Sequence, residues 1–349
     1  LTAPETDVPQ GPSGPLLLDR PAPAAARALI ESQGLRFETD VDELVGLFDQ
    51  GSLVACGARA GYVLKMLVIL PGYQGGDSLG ALVTPLVQSA LGAGHDTVFV
   101  FTTPGNAPSF QALNFRLLAA HGQAALLEHG PGLEAYLAGY ARLVTPGPNG
   151  AVVVNGNPFT LGHLHLVESA ARQVRRLYLF VVREDRSAFP FPVRLRLAQE
   201  ATAHLANVTV LDTSRYAVSA GTFPSYFMKR LDEASATQMG VDLVLFAQCL
   251  APPFHIARRF AGQEPLDPTT AAYNRMMGEV LPSCGVAWTE VPRIQADGAP
   301  ISATRVRAAL RAGTLDGLEA LVPPATLAYL RSPQAAAVID NLRARKEGA

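Results

Sequence analysis

The chain has 349 residues, 48% of them hydrophobic and 17% charged, enough apolar content for a core in each of two domains and too much for an intrinsically disordered protein. A formal net charge of −2 without any basic block gives no electrostatic case for nucleic acid or an anionic membrane surface, so phosphate has to be handled locally. Apolar runs such as Met66 to Leu70 fall far short of the roughly 20 residues of a membrane helix, no basic-then-apolar leader is seen, and Cys56, Cys249 and Cys284 show no metal-ligand spacing.

These features make a cytoplasmic protein with no metal site of its own, no nucleic-acid partner and no membrane partner the expectation. Residues 1–18 are rich in Pro and Gly without a hydrophobic period and read as a flexible arm. A first unit follows over 19–143. In it Leu53–Gly57 and Val63–Leu70 read as strands, Leu79–Leu91 as an amphipathic helix and Thr97–Thr102 as a strand, ahead of Asn106–Phe115. That order is α+β in character. The Pro- and Gly-rich stretch Val144–Gly150 is the best boundary in the chain.

Residues 151–335 then alternate. Strand Ala151–Val154 leads to helix Gly162–Val174, strand Leu177–Val182 to helix Pro192–Leu205, and strand Val208–Leu211 to helix Phe223–Ala234. Leu243–Phe246 reads as a further strand before an irregular stretch with Pro252 and Pro253, and Trp288–Val291 as the last strand. The alternation predicts a Rossmann-like α/β domain, a parallel sheet with helices on both faces. Residues 336–349 are a C-terminal helix or tail.

The chemistry concentrates where the first of these strands meets its helix. Asn155-Gly156-Asn157-Pro158-Phe159-Thr160-Leu161-Gly162-His163 places a hydroxyl and an imidazole on the first helical turn, with Gly162 letting a ligand near the backbone. Free N–H groups at such a helix start favour phosphate. The segment Ile301-Ser302-Ala303-Thr304-Arg305-Val306-Arg307 supplies a second helix start, with Ser302 as cap, Thr304 as a further hydroxyl and Arg307 as a planar fork for phosphate oxygens. Both fit attack on the α-phosphate of a nucleoside triphosphate. Read this way, the acceptor stays open between a carboxylate such as acetate and a phosphorylated acceptor, as in phosphopantetheine or nicotinamide mononucleotide adenylyltransferases.

These two segments, together with Glu184-Asp185-Arg186-Ser187 running into Phe189-Pro190-Phe191-Pro192-Val193-Arg194, and with Thr222-Phe223-Pro224-Ser225-Tyr226-Phe227, resemble the citrate lyase ligase family over about Leu53 to Leu330. The resemblance implies an acid–thiol ligase. It would use ATP, with Mg²⁺, and acetate to acetylate the thiol of the phosphoribosyl-dephospho-coenzyme A arm on the acyl carrier protein of citrate lyase, through acetyl adenylate, releasing AMP and pyrophosphate. Thr160 and His163 would then serve the α-phosphate, and Ser302 and Arg307 the pyrophosphate. Asn155, Gly156, Asn157, Pro158, Phe159, Gly162, Arg186 and Thr304 would line the nucleotide, and Thr222, Ser225 and Tyr226 the acetate.

The first unit is similar to GCN5-related acetyltransferases. Its loop Gln74-Gly75-Gly76-Asp77-Ser78-Leu79-Gly80 nevertheless satisfies no register of their pattern of Arg or Gln, two residues, Gly, one residue, then Gly or Ala. A carboxylate at Asp77 would repel a coenzyme A pyrophosphate. The unit is therefore expected to recognise the carrier protein or its arm, with acyl-coenzyme A or pantetheine binding as the alternative.

Overall fold

A computed structural model describes residues 16–75, 77–183, 187–217, 231–265 and 267–344, the side chains of 231–235 excepted. The described residues fall into two compact units. One takes those up to Ala135 and returns for 231–241, and the other takes Tyr136 to 217 and Asp242 onward.

The first unit is built on β1 (Leu17–Asp19), α1 (Pro23–Ser32), β2 (Glu43–Asp49), β3 (Ser52–Ala60), β4 (Val63–Ile69), α2 (Ser78–Gly92), β5 (Val98–Thr102), α3 (Ala107–Gln111), β6 (Arg116–His121) and β7 (Ala124–His129). Its sheet runs β1-β2-β3-β4-β5-β7-β6. Leu17 and Leu18, read as part of a flexible arm, instead pair antiparallel with β2. One residue of β3, Gly57, faces two of β4, Met66 and Leu67, and Met66 has φ +53°. Such a bulge bends its strand. β4 and β5 pair in parallel at Val63–Phe99 and Leu64–Val100. Beyond that pairing lies a cavity of about 360 Å³ walled by Leu67 and Ile69 on one side and Phe101 and Thr103 on the other. Asp77 stands at the N-cap of α2, but its carboxylate accepts no capping hydrogen bond.

The unit boundary falls within α4 (Gly132–Tyr140) and again within α7 (Leu231–Leu245). The second unit contains β8 (Asn149–Val154), α5 (Leu161–Ala171), β9 (Leu177–Val181), α6 (Phe191–Thr202), β10 (Val208–Asp212), β11 (Ile256–Gly262), α8 (Pro268–Ser283) and β12 (Ala287–Val291). Its sheet, β10-β9-β8-β11-β12, is parallel throughout. β8 lies at the centre. Val152 and Val154 are buried in one core with Leu166 and Val167 of α5 and Leu197 of α6, as a parallel strand covered on both faces requires. The small hairpin β13 (Gln295–Ala296) and β14 (Ala299–Pro300) then leads into α9 (Ala303–Arg311), α10 (Pro324–Leu330) and α11 (Ala336–Ala344).

The strand expected at Leu243–Phe246 is not one. Those residues end α7 and enter a π-helical turn over Phe246–Leu250, and the strand is Ile256–Gly262 instead. A short apolar run does not distinguish a buried helix from a strand, and β11 is disguised by two arginines. Arg259, 4% exposed, is buried with its guanidinium 4.5 Å from the Phe246 ring and donating to the Tyr273 hydroxyl. Tyr273 in turn donates to the Asp242 carboxylate. The helix expected at Phe223–Ala234 lies outside the described residues except for its end in α7.

Candidate active site

β8 delivers the chain at Val154 to a tight loop, and the residues of that loop are held from below. Gly156 has φ +62°, a left-handed conformation that glycine adopts without steric cost. Phe159 is fully buried, and its carbonyl accepts from the Thr326 hydroxyl at 3.0 Å, so the loop is anchored in the core. Asn157 Oδ1 accepts from the Phe189 N–H at 2.9 Å.

Thr160 and His163 interlock at the start of α5. Thr160 is the N-cap: its Oγ1 accepts from the His163 N–H at 3.3 Å, while the His163 ring Nδ1 accepts from the Thr160 N–H at 3.0 Å. A histidine thus does what Glu or Gln does in the usual capping box. A backbone N–H can only donate, so Nδ1 carries no proton and the neutral ring carries it on Nε2. Burial in the crevice, and after it the positive charge of Arg293, lower the His163 pKa from 6.5 to about 4. At neutral pH the ring is therefore an uncharged donor. Thr160 Oγ1 also lies 2.9 Å from Nδ1 and the residue is 1% exposed, so this hydroxyl is committed to the imidazole.

The distal motif comes to the same place. Ser302 caps α9 by accepting from the Arg305 N–H at 3.2 Å, and Arg305 Nη1 donates to the carbonyls of Ala296, Ala299 and Pro300, fixing the preceding hairpin. Arg307 Nη1 donates to the Asn157 carbonyl at 2.6 Å and its Nη2 to Thr304 Oγ1 at 3.1 Å. A side chain on Gly162 would put its Cβ 3.0 Å from the Ile301 carbonyl. Two helix starts separated by more than a hundred residues thus touch. Burial and the neighbouring Arg311 lower the Arg307 pKa, but a guanidinium keeps its charge at neutral pH.

Two arginines at this edge are not singled out by the motif reading. Arg194 is wholly buried and donates to the carbonyls of Asn155, Val182 and Phe189 and to Asn155 Oδ1, at 2.6–3.0 Å. It ties the ends of β8 and β9 to the Phe189 segment. Arg293 donates from Nε to the Gln263 carbonyl at 2.5 Å and pairs with Glu264, just past β11. The signal for Arg194 was present in its motif; Arg293 has none beyond following the last strand of the sheet. Arg186, Thr222, Ser225 and Tyr226 lie outside the described residues.

An open parallel sheet with a tight loop, a neutral imidazole donor and a guanidinium at the carboxyl edge of its central strand is an α/β fold of the kind that binds ligands at that edge. Residues 149–330 match the family model described as the citrate lyase ligase C-terminal domain. The citrate (pro-3S)-lyase ligase of Klebsiella pneumoniae is 38% identical over 322 residues, covering 90% of this chain and 94% of that protein. That of Escherichia coli (strain K12) is 33% identical over 311 residues, covering 87% and 88%. A solved acyl-CoA N-acyltransferase from Pseudomonas aeruginosa aligns with 33% of this chain and 100% of its own, at 13% identity and a TM-score of 0.28. The chain belongs to the citrate lyase ligase family and is a ligase. Among the described residues no helix is long and apolar enough to cross a membrane.

Proposed function

We propose that this enzyme activates citrate lyase by acetylating the prosthetic-group thiol of its acyl carrier protein, spending ATP through an acetyl-adenylate intermediate. The observation that carries the reading is the Thr160–His163 interlock, which presents an Nε2–H donor at a helix start, facing the segment that holds Arg307. An acetate oxygen attacks the α-phosphorus as the bond to the bridging oxygen breaks, and pyrophosphate leaves with that electron pair. Negative charge builds on the α-phosphate oxygens during this step. His163 donates to them through Nε2–H, and Thr160 holds the ring in place. The α5 amides add their partial positive charge.

Arg307 and the α9 start capped by Ser302 hold the departing pyrophosphate, and Thr304 steadies the Arg307 fork. The thiol then attacks the acetyl carbonyl, its proton leaves to solvent, and AMP departs with the carboxylate oxygen. Asn155, Gly156, Asn157, Pro158 and Phe159 form the floor of the nucleotide site, and Gly162 leaves it space. Arg186 is a further phosphate candidate, and Thr222, Ser225 and Tyr226 are candidates for the acetate pocket. Mg²⁺ accompanies ATP, bound by phosphate oxygens and water as this ion commonly is; the described residues contain no cluster of three His, Cys, Asp or Glu side chains able to hold a metal. The first unit serves the carrier protein or its arm, and a cytoplasmic setting fits substrates of this kind.

Acetate-dependent ATP–pyrophosphate exchange tests the reading directly. Exchange should require acetate, and His163→Ala should lower it about 10²-fold or more, as loss of one transition-state donor does. Adenylyl transfer to a phosphorylated acceptor, with no acetate-dependent exchange, would replace this reading.

A further inference from the structure

We propose that Arg293 is a further phosphate-binding residue of this site, offering its guanidinium to the β- and γ-phosphate oxygens of ATP and so to pyrophosphate, with Glu264 as the positioning residue that aims it. The proposal rests on the adenylation reading above. Three observations carry it. Arg293 is pinned at the carboxyl edge of the sheet next to the central strand, by the Gln263 carbonyl and the Glu264 carboxylate. These partners engage Nε and Nη2 and leave Nη1 without a hydrogen-bond acceptor among the described residues. Its charge reaches the His163 imidazole, so the guanidinium and the α-phosphate donor share one neighbourhood.

Placement also decides which phosphates it would meet. The residue after Arg293 accepts the Ile301 N–H at 3.1 Å on the Ile294 carbonyl, which links this turn to the Ser302 helix start rather than to the loop beneath the nucleoside. His163 is uncharged, and a triphosphate carries several negative charges, so a second guanidinium beside Arg307 would meet anionic partners there. A guanidinium held on one side by a carboxylate and open on the other can add a charge-assisted bond without having to be ordered first. Glu264 thus fixes the direction of the fork while part of its charge remains available for phosphate.

Calorimetric binding of pyrophosphate, ATP and AMP to the full chain and to Arg293→Met and Arg293→Lys separates this role from a structural one. Arg293→Met should lose about ten- to a hundredfold in pyrophosphate and ATP affinity while AMP, which lacks the outer phosphates, binds within about twofold of the parent. Arg293→Lys, which keeps the charge but not the fork, should fall between. Pyrophosphate affinity unchanged in Arg293→Met overturns the proposal, and so does a parallel loss of AMP and pyrophosphate, which marks a merely structural residue. If circular dichroism shows Arg293→Met unfolded, Arg293→Lys decides by the same comparison. Failure of acetate-dependent exchange in the parent enzyme would instead remove the adenylation reading, and the binding comparison would still judge Arg293.

Discussion

A histidine with its pKa near 4 cannot shuttle protons at neutral pH, and the adenylation step asks for none, since acetate arrives as an anion and pyrophosphate leaves as one. His163 acts instead as a fixed dipole. Its lowered pKa also links to stability. The unfolded chain takes up a proton on this residue near 6.5 while the fold resists until about 4, so the stabilisation is complete above 6.5 and is lost as pH falls toward 4. Nitrogen-15 spectra of the histidine rings should show His163 protonated on Nε2 alone from about pH 8 down to about pH 5; a titration near 6.5, or an Nδ1–H pattern, would contradict the interlock. At this scale the sequence placed Thr160, Gly162, His163 and Ser302 at or just before the first turn of a helix whose start it advertises, and Arg307 just beyond the first turn of α9. Arg194 lay in a quoted motif but was given no role, since what it holds is mostly main-chain carbonyls up to 39 residues away, and Arg293 was not read out, since its partners Gln263 and Glu264 lie about 30 residues upstream without a motif.

The two helix starts depend on one missing side chain. Gly162→Ala would bring a methyl to 3.0 Å from the Ile301 carbonyl, a backbone atom that cannot swing aside, so α5 and the approach to α9 must part by a few tenths of an ångström. Misplacement on that scale is costly where reacting groups must be aligned. We expect Gly162→Ala to retain its fold by circular dichroism and to lose roughly tenfold or more in exchange rate; an unchanged rate would show that the two starts act independently. The alternation from β8 to β10 was readable because apolar strands and helical stripes follow one another with clear turns. β11 was hidden by Arg258 and Arg259, one of them buried through partners far away in sequence. α8 was passed over although Asp267 caps it, accepting from the Thr270 N–H at 2.6 Å, and Pro268 opens it. That start signal was present, and Tyr273, Met276, Met277, Val280 and Leu281 recur at helical spacing, so the helix was readable and was missed.

Division into two units is simple in sequence up to Ala135 and ceases to be so at α7, whose residues up to Val241 return to the first unit. Gly240 lies so close to His121 that a Cβ there would overlap the imidazole ring. Removing the first unit would strip α7 of this seat. A chain beginning at Tyr136 should therefore melt below the full-length protein and be cut by protease within α7; equal melting temperatures would show that α7 stands by itself. No composition shift in the sequence announces this return, because the helix packs with residues far upstream and bears no mark of which sheet it serves.

The same return sets an order on the nascent chain. β8, β9 and β10 leave the ribosome before Gly240 does, so the first unit waits, with the His121 face of its β6–β7 hairpin uncovered, until part of the second has been synthesised.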